Sequence, residues 1–516
     1  MPITPARFFS CLIFISTLLS LHVQAANNVL LIIADDLGAE VSPGYIGADK
    51  PSMPNVNALV RSGVRFTNVW VQPYCSPTRA CILTGRYGYT TGVLYPGDVL
   101  DPAHPSIPDQ LPAEVKTAVF GKWHLDGNSP STKEADHVIA MGFDKYVGSP
   151  GAAVRDYFSW TKYQAATDVP ATSAPSTTYA TSDTSAEALD WIKSQGQSTP
   201  WLAWVAFNAG HTPLHKPPVA LLNTTTSKNL NAATATSRQK FKAMCEALDT
   251  EIGKLINGLD AATRASTTII FIGDNGTHSA NKVGGFRYAK GSVYEGGLRV
   301  PLIVSGRTVS GANRCVSQLV NGTDLYRTIT DLFDVAPSSV TGGEDSNSIL
   351  PYLQNQPHPN PRNAIYADLD TPSTPLQQAI RDVRYKLIRR APNNVEEYYD
   401  LQNDAQETKN LIGQTLPYYA RITLTALRNQ LNLDVPKQAK TLKSIGVISA
   451  GSGYTVAPSL VISGGGGSGA AAFAKVSDGR ITEVTITQGG SGYTSAPNVM
   501  VVGGGGIGAV LVSSLE

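Results

Sequence analysis

An α/β fold with a large, mostly parallel sheet flanked by helices is predicted by three features of this 516-residue sequence. Short, continuous apolar runs recur as far as Val304, helical stretches lie between them, and each run gives way at once to polar or glycine-rich residues. Continuous rather than alternating hydrophobicity marks strands buried on both faces. Strands that alternate with helices favour parallel pairing.

Taken in order, residues 1–25 read as a secretory signal. Arg7 supplies the positive end, Phe8 to Leu21 the apolar run, and Val23-Gln24-Ala25 the small-residue pattern, which places cleavage after Ala25. The run falls short of the roughly 20 apolar residues needed to span a bilayer, and no later segment reaches that length. The expectation is an exported protein, periplasmic or secreted, with no integral membrane segment after cleavage. Residues 26–333 form the expected main domain. Its strands are Val29–Ile33, Thr117–Phe120, Trp201–Phe207, Thr268–Ile272 and Leu302–Val304, and its helices include Ser185–Ser194 and Arg238–Leu259. In the second helix Phe241, Met244, Cys245, Leu248, Ile252, Leu255, Ile256 and Leu259 recur at helical spacing and mark a core-facing stripe.

From Asp334 the pieces shorten. Ala379–Ile388 and Glu397–Leu401 read as hairpin strands of a smaller antiparallel α+β subdomain over 334–437, followed by a linker at Pro436. Residues 445–516 differ again. Gly451-Ser452-Gly453-Tyr454-Thr455 returns as Gly490-Ser491-Gly492-Tyr493-Thr494, and Gly464–Gly467 as Gly503–Gly506, both displaced by 39 residues. This is a tandem duplication. The β-branched runs between glycine clusters, such as Ile481–Thr487, favour a small β module over a flexible tail.

Composition narrows the function. Charged residues are 16% and the formal net charge is +1, which gives no electrostatic footprint for nucleic acid. After signal removal Cys75, Cys81, Cys245 and Cys315 remain. A Cys245–Cys315 bridge is one possibility that the sequence leaves open.

The chemistry-bearing residues follow the predicted strand ends, where open α/β sheets place their ligand crevice. Asp35-Asp36 follows the first strand, Lys122 and His124 the second, His211 the third and Asp274-Asn275 the fourth. Three carboxylates and an amide are hard oxygen donors of the kind Ca²⁺ or Mg²⁺ takes, although Asp-Asp-Leu-Gly and Asp-Asn-Gly are also common turns. Lys122 and His124, two apart on an extended segment, would point the same way. Cys75-Ser76-Pro77-Thr78-Arg79 opens a helix-like segment that ends in Thr84-Gly85. Residue 75 then sits where a helix favours anions, with Arg79 one turn on. Lys290 lies in Ala289-Lys290-Gly291-Ser292, ahead of Glu295 and Arg299, which read as structural partners.

Cys-x-Pro-x-Arg with Thr-Gly, Gly121-Lys122-Trp123-His124, His211-Thr212-Pro213 and the Lys290 segment, in this order from about Asn28 to Leu411, resemble the sulfatases of the alkaline-phosphatase-like superfamily. The resemblance implies that Cys75 is oxidised to formylglycine by a maturation enzyme, and that Asp35, Asp36, residue 75, Asp274 and Asn275 hold a divalent metal, usually calcium. It further implies that one hydroxyl of the hydrated aldehyde attacks sulfur. Lys122, Lys290 and Arg79 face the sulfate charge, and His211 or Lys290 protonates the leaving alcohol. His124 collapses the covalent ester, while His215 is a rim residue. Asp126 stands where the family usually has glycine, a departure expected to alter the local turn. The implied activity is hydrolysis of aryl or carbohydrate sulfate esters. The rivals are a phosphoester or phosphonate-ester hydrolase of the same fold and an inactive surface-binding protein. Leu94–Pro112 and Ser149–Pro175 are expected to line the pocket, with Tyr157, Phe158, Trp160 and Tyr163 as either a sugar-stacking surface or core.

Overall fold

A computed structural model describes residues 27–282, 284–434, 441–464, 468–491 and 496–515. The expected signal at 1–25, the Pro436 linker, Gly465–Gly467 and Gly492–Thr494 lie outside the described residues. No helix among the described residues is long and apolar enough to cross a membrane.

The apolar runs become the centre of a ten-stranded sheet. Its strands are β1 (Asn28–Ala34), β2 (Gly63–Trp70), β3 (Lys116–Gly121), β4 (Lys145–Gly148), β5 (Trp160–Ala166), β6 (Val169–Ser176), β7 (Trp201–Ala206), β8 (Thr267–Gly273), β9 (Leu302–Gly306) and β10 (Arg314–Asn321), in the order β10-β2-β9-β8-β1-β7-β3-β4-β5-β6. The central block β8-β1-β7-β3-β4 is parallel. β10 and β2 are also parallel, so most pairings are parallel as expected, while β9 runs against both its neighbours and β4-β5-β6 is antiparallel. The reversal at β9 has a simple cause: the excursion from Asp274 to Pro301 leaves and re-enters at the same end of the sheet.

Every residue of β1, β7 and β8 is buried, as continuous apolar runs require. Alternate residues serve opposite faces. Leu30 and Ile32 pack with Phe241, Cys245, Leu248 and Ile252 of the helix Ser237–Asn257. Leu31 and Ile33 face the core that holds Ile82 and Leu83 of the helix Cys75–Thr84. All the stripe residues of the long helix are buried, as is Leu259 just beyond it.

The C-terminal hairpins form a second antiparallel sheet of β11 (Ile365–Thr371), β12 (Thr374–Arg381), β13 (Tyr385–Arg390) and β14 (Val395–Asp400). The run Ala379–Ile388 is therefore two strands, broken where the Asp382 carboxylate accepts from the amides of Arg384 and Tyr385. A helix, Tyr418–Asp434, closes this sheet with Ala420, Leu424, Leu427 and Leu431. A buried charge cluster ties this sheet to the large one. Lys386 Nζ lies 2.7 Å from Glu407 Oε1 and 3.4 Å from Glu295 Oε1, above the Trp70 ring. Glu295 also meets Arg381 at 3.3 Å and Arg299 at 3.5 Å, and accepts from Trp70 Nε1 at 3.0 Å.

The duplicated segment folds as six strands: β15 (Leu442–Ser452), β16 (Ser459–Ser463), β17 (Ser468–Ser477), β18 (Arg480–Ser491), β19 (Asn498–Val502) and β20 (Ile507–Leu515). They pair β15 with β20, β16 with β19 and β17 with β18. Each ladder thus takes one strand from each repeat, and among the described residues neither repeat pairs within itself. All four described cysteines are free: Cys245 is buried in its helix and Cys315 is exposed on β10, so no Cys245–Cys315 bridge forms.

Candidate active site

In-register strand ends assemble the centre. Ile33 pairs with both Ala206 and Ile272, and Ala206 also pairs with Gly121, so β8, β1, β7 and β3 finish at one level. Adjacent strands lie about 4.8 Å apart, and the residues that follow are therefore forced together. Backbone bonds continue past the strands: Lys122 N donates to Ala206 O, Asp274 N to Ala34 O and Gly210 N to Asp35 O. Residue 75 arrives from β2 as the first residue of its helix, after Tyr74 in extended conformation.

Cys75 Sγ lies 3.3 Å from His124 Nδ1. Lys122 Nζ donates to Asp35 Oδ2 at 2.6 Å, with both side chains fully buried. Lys290 Nζ meets Asp36 Oδ1 at 2.5 Å, and Asn275 Nδ2 donates to the same oxygen at 2.8 Å. Arg79 is engaged by Asp274 and the Lys122 backbone. Its Nε and one terminal nitrogen donate to Asp274 Oδ2 at 3.2 and 2.7 Å, and the other terminal nitrogen donates to Lys122 O at 2.8 Å. The guanidinium is thereby committed to orienting Asp274 and the Lys122 backbone.

Lys122 and His124 do converge, but not along an extended segment. His124 has a φ of 61°, and the left-handed turn brings its ring to Cys75 while Lys122 reaches Asp35. His211 Nδ1 lies 2.9 Å from Thr212 O, which leaves Nε2 for the centre. A nitrogen of His211 lies within 4.8 Å of carboxylate oxygens of Asp35 and Asp36. His215 is half-buried, with its Nε2 2.9 Å from Tyr179 Oη and its ring packed on Tyr157 and the exposed Phe158. Of the aromatic group, Tyr157 is core, and its hydroxyl binds the backbone oxygens of Asn208 and His211 at 2.6 and 2.9 Å. Trp160 is also buried, whereas Phe158 is exposed. Glu295 and Arg299 are structural partners, as their sequence context suggested. Sequence reasoning missed Asn128, which meets His124 Nε2, and the anchoring role of Tyr157; neither carried a spacing signal.

The donor set fits a hard divalent cation. Ligand atoms of Asp35, Cys75 and Asp274 lie within 4.8 Å of one another. Asp35 Oδ1 and Asn275 Oδ1 are buried without a hydrogen-bond partner, an arrangement that costs free energy unless something positive meets it. Burial pushes the Asp35 carboxyl up, but Lys122, His211, Lys290 and Arg79 together hold it well below its ordinary value. Burial and the Asp35 charge push Asp274 up to about 8 in spite of Arg79, so the pair is short of positive charge. Burial likewise raises the Cys75 thiol, and Lys122, Lys290 and Arg79 outweigh it, leaving the thiol below its usual range. Burial and Lys122 hold His124 well below the ordinary histidine value, which keeps the ring neutral.

A family model described as Sulfatase matches residues 27–335, and one described as N-sulphoglucosamine sulphohydrolase, C-terminal, matches 284–435. The chain is 26% identical over 438 residues to an ulvan-active sulfatase of Formosa agariphila, covering 80% of this chain and 81% of that protein. It is 28% identical over 367 residues to N-acetylgalactosamine-6-sulfatase of Homo sapiens, covering 64% and 66%. The crystal structure of Ps i-CgsB in complex with k-i-k-neocarrahexaose shares the fold with a TM-score of 0.64 and 24% identity, over 80% of this chain and 94% of that one. The PsFucS1 sulfatase from Pseudoalteromonas sp. does so with a TM-score of 0.64 and 20% identity, over 80% and 91%.

Proposed function

The chain belongs to the sulfatase family, and on that premise we propose that it hydrolyses carbohydrate sulfate esters through a nucleophile matured from Cys75 and a divalent cation held by Asp35, Asp36, residue 75, Asp274 and Asn275. The observation that carries this reading is the convergence of Cys75, His124, Lys122 and Lys290 on one buried set of oxygen donors. The names of the relatives, an ulvan-active sulfatase and an N-acetylgalactosamine-6-sulfatase, support a carbohydrate substrate. The apolar run Phe8–Leu21 supports export.

A calcium or magnesium ion held by these oxygens would supply positive charge next to position 75. Conversion of Cys75 to formylglycine by a maturation enzyme supplies a hydrated aldehyde, with one hydroxyl to attack and a second for release. The chain's own side chains do the rest. Lys122 and Lys290 present positive charge to the sulfate oxygens. Arg79 holds Asp274 and the Lys122 backbone in place. His211 or Lys290 hands a proton to the departing alcohol, and Nδ1 of His124 accepts one at position 75.

Matched aryl sulfates and phosphates, a panel of sulfated glycans and peptide mass spectrometry across Cys75 test the proposal. The expected result is preference for sulfate, turnover of at least one glycan, and an aldehyde at position 75 in active protein. A large preference for phosphate, or full activity with an unmodified thiol, overturns it.

A further inference from the structure

Resting on that role for His124, we propose that Asn128 is a positioning residue that fixes the His124 ring in one tautomer, with its proton on Nε2 and its bare lone pair on Nδ1 facing position 75.

A neutral imidazole carries one N–H and one lone pair, so the partner of one nitrogen decides what the other presents. His124 Nε2 lies 2.8 Å from Asn128 Oδ1, and Nδ1 lies 3.3 Å from Cys75 Sγ. An asparagine amide can present either end, so the direction of this bond needs a second anchor. That anchor is Pro96 O, to which Asn128 Nδ2 donates in a long bond of 3.4 Å. Turning the amide over would set Oδ1 against the Pro96 carbonyl oxygen, acceptor against acceptor. With Oδ1 held toward the ring, only an N–H on Nε2 satisfies the contact. The opposite tautomer would place two lone pairs 2.8 Å apart.

Asn128 is exposed, and backbone bonds tether it and His124. His124 N donates to Pro150 O at 2.7 Å, and Ala152 N donates to Asn128 O at 3.1 Å. A Cβ at Gly97 would come within 2.7 Å of Asn128 Nδ2, so the loop that carries Pro96 is built to let the amide approach. A donor chain results, from Nε2–H to Oδ1 and from Nδ2–H to Pro96 O, and its far end is a lone pair aimed at the reacting residue. A proton acceptor at position 75 requires that lone pair.

The test reads the tautomer directly, in the full chain with Cys75 unmodified and its histidines labelled with ¹⁵N. Long-range ¹H–¹⁵N correlation distinguishes a protonated from a bare ring nitrogen, and comparison with His124→Gln assigns the signal among the eight histidines. A bare Nδ1 and protonated Nε2 are expected. Asn128→Leu is expected to shift the population toward Nδ1–H, while Asn128→Asp, which keeps the acceptor, preserves the pattern. An Nδ1–H in the wild-type protein, or an unchanged pattern in Asn128→Leu, overturns the proposal. In matured enzyme Asn128→Leu is expected to lower kcat by about 10–100-fold, the scale seen for outer partners of ligating histidines, with KM nearly unchanged. An unchanged kcat overturns it equally. A wild-type protein that shows the tautomer but cleaves no sulfate ester removes the sulfatase reading and leaves the positioning role of Asn128 standing.

Discussion

Replacing Lys386 by methionine is expected to destabilise the protein in a way that depends steeply on pH. Lys386 is fully buried between Glu295 and Glu407. Without it Glu295 retains Arg381 and Arg299, whereas the Glu407 carboxylate keeps the Glu295 amide, at 2.8 Å, and, among the described residues, no cation comparable to Lys386. A buried carboxylate in that position takes up a proton rather than stay charged. From an ordinary value of 4.5, holding it neutral in the folded state costs about 1.4 kcal/mol per pH unit above that value. The penalty is about 0.7 kcal/mol at pH 5 and about 4 kcal/mol at pH 7.5, within the 3–5 kcal/mol typical of a broken buried pair. These figures are ceilings, because burial and Glu295 already raise Glu407 while Lys386 is present. The sign follows from linkage: a folded pKa above the unfolded one gives stability that is present at low pH and lost as pH rises. Urea unfolding of wild type and Lys386→Met at pH 5 and 7.5 measures the difference, and Lys386→Met with Glu407→Gln should recover most of it at pH 7.5. A penalty that is the same at both pH values refutes the reasoning.

Two further outcomes are expected. Tyr157→Phe removes the buried hydroxyl that serves Asn208 O and His211 O, at a cost of about 1–3 kcal/mol for the exposed acceptors. It should slow alkyl sulfates more than 4-nitrophenyl sulfate, because only the former need a proton on the leaving oxygen; equal slowing would contradict the anchoring of His211. Calcium at about 100 times its Kd should raise unfolding free energy by about 2.7 kcal/mol, and chelation should reverse this together with activity. Asp35→Asn should abolish the shift, and its persistence would place the cation elsewhere.

Much of the centre was legible because the residue types sit at strand ends, and strands buried on both faces announce themselves by unbroken apolarity. Strand direction was not legible. Leu302–Val304 is as apolar as its neighbours, yet it runs backwards, since hydrophobicity says that a strand is buried and not which way it points. β5 and the edge strand β6 mix polar and apolar residues and gave no clear run. His124 was placed on extended chain because a single sequence does not reveal a left-handed residue that is not glycine. Arg79 was identified by its spacing, but its commitment to Asp274 depends on a partner 195 positions away. The 39-residue period revealed two copies, although a period cannot say whether strands pair within a copy or between copies.

That last point bears on how the chain is made. The first strand of the duplicated module, Leu442–Ser452, has as its partner the last strand, Ile507–Leu515. Closing the outermost ladder needs Ile507–Leu515, whereas both strands of the inner ladder, β17 and β18, are present once Ser491 has been made. By then the catalytic sheet, whose last strand ends at Asn321, has long been available to fold. The strands around Cys75 are thus made before the partner of Leu442–Ser452.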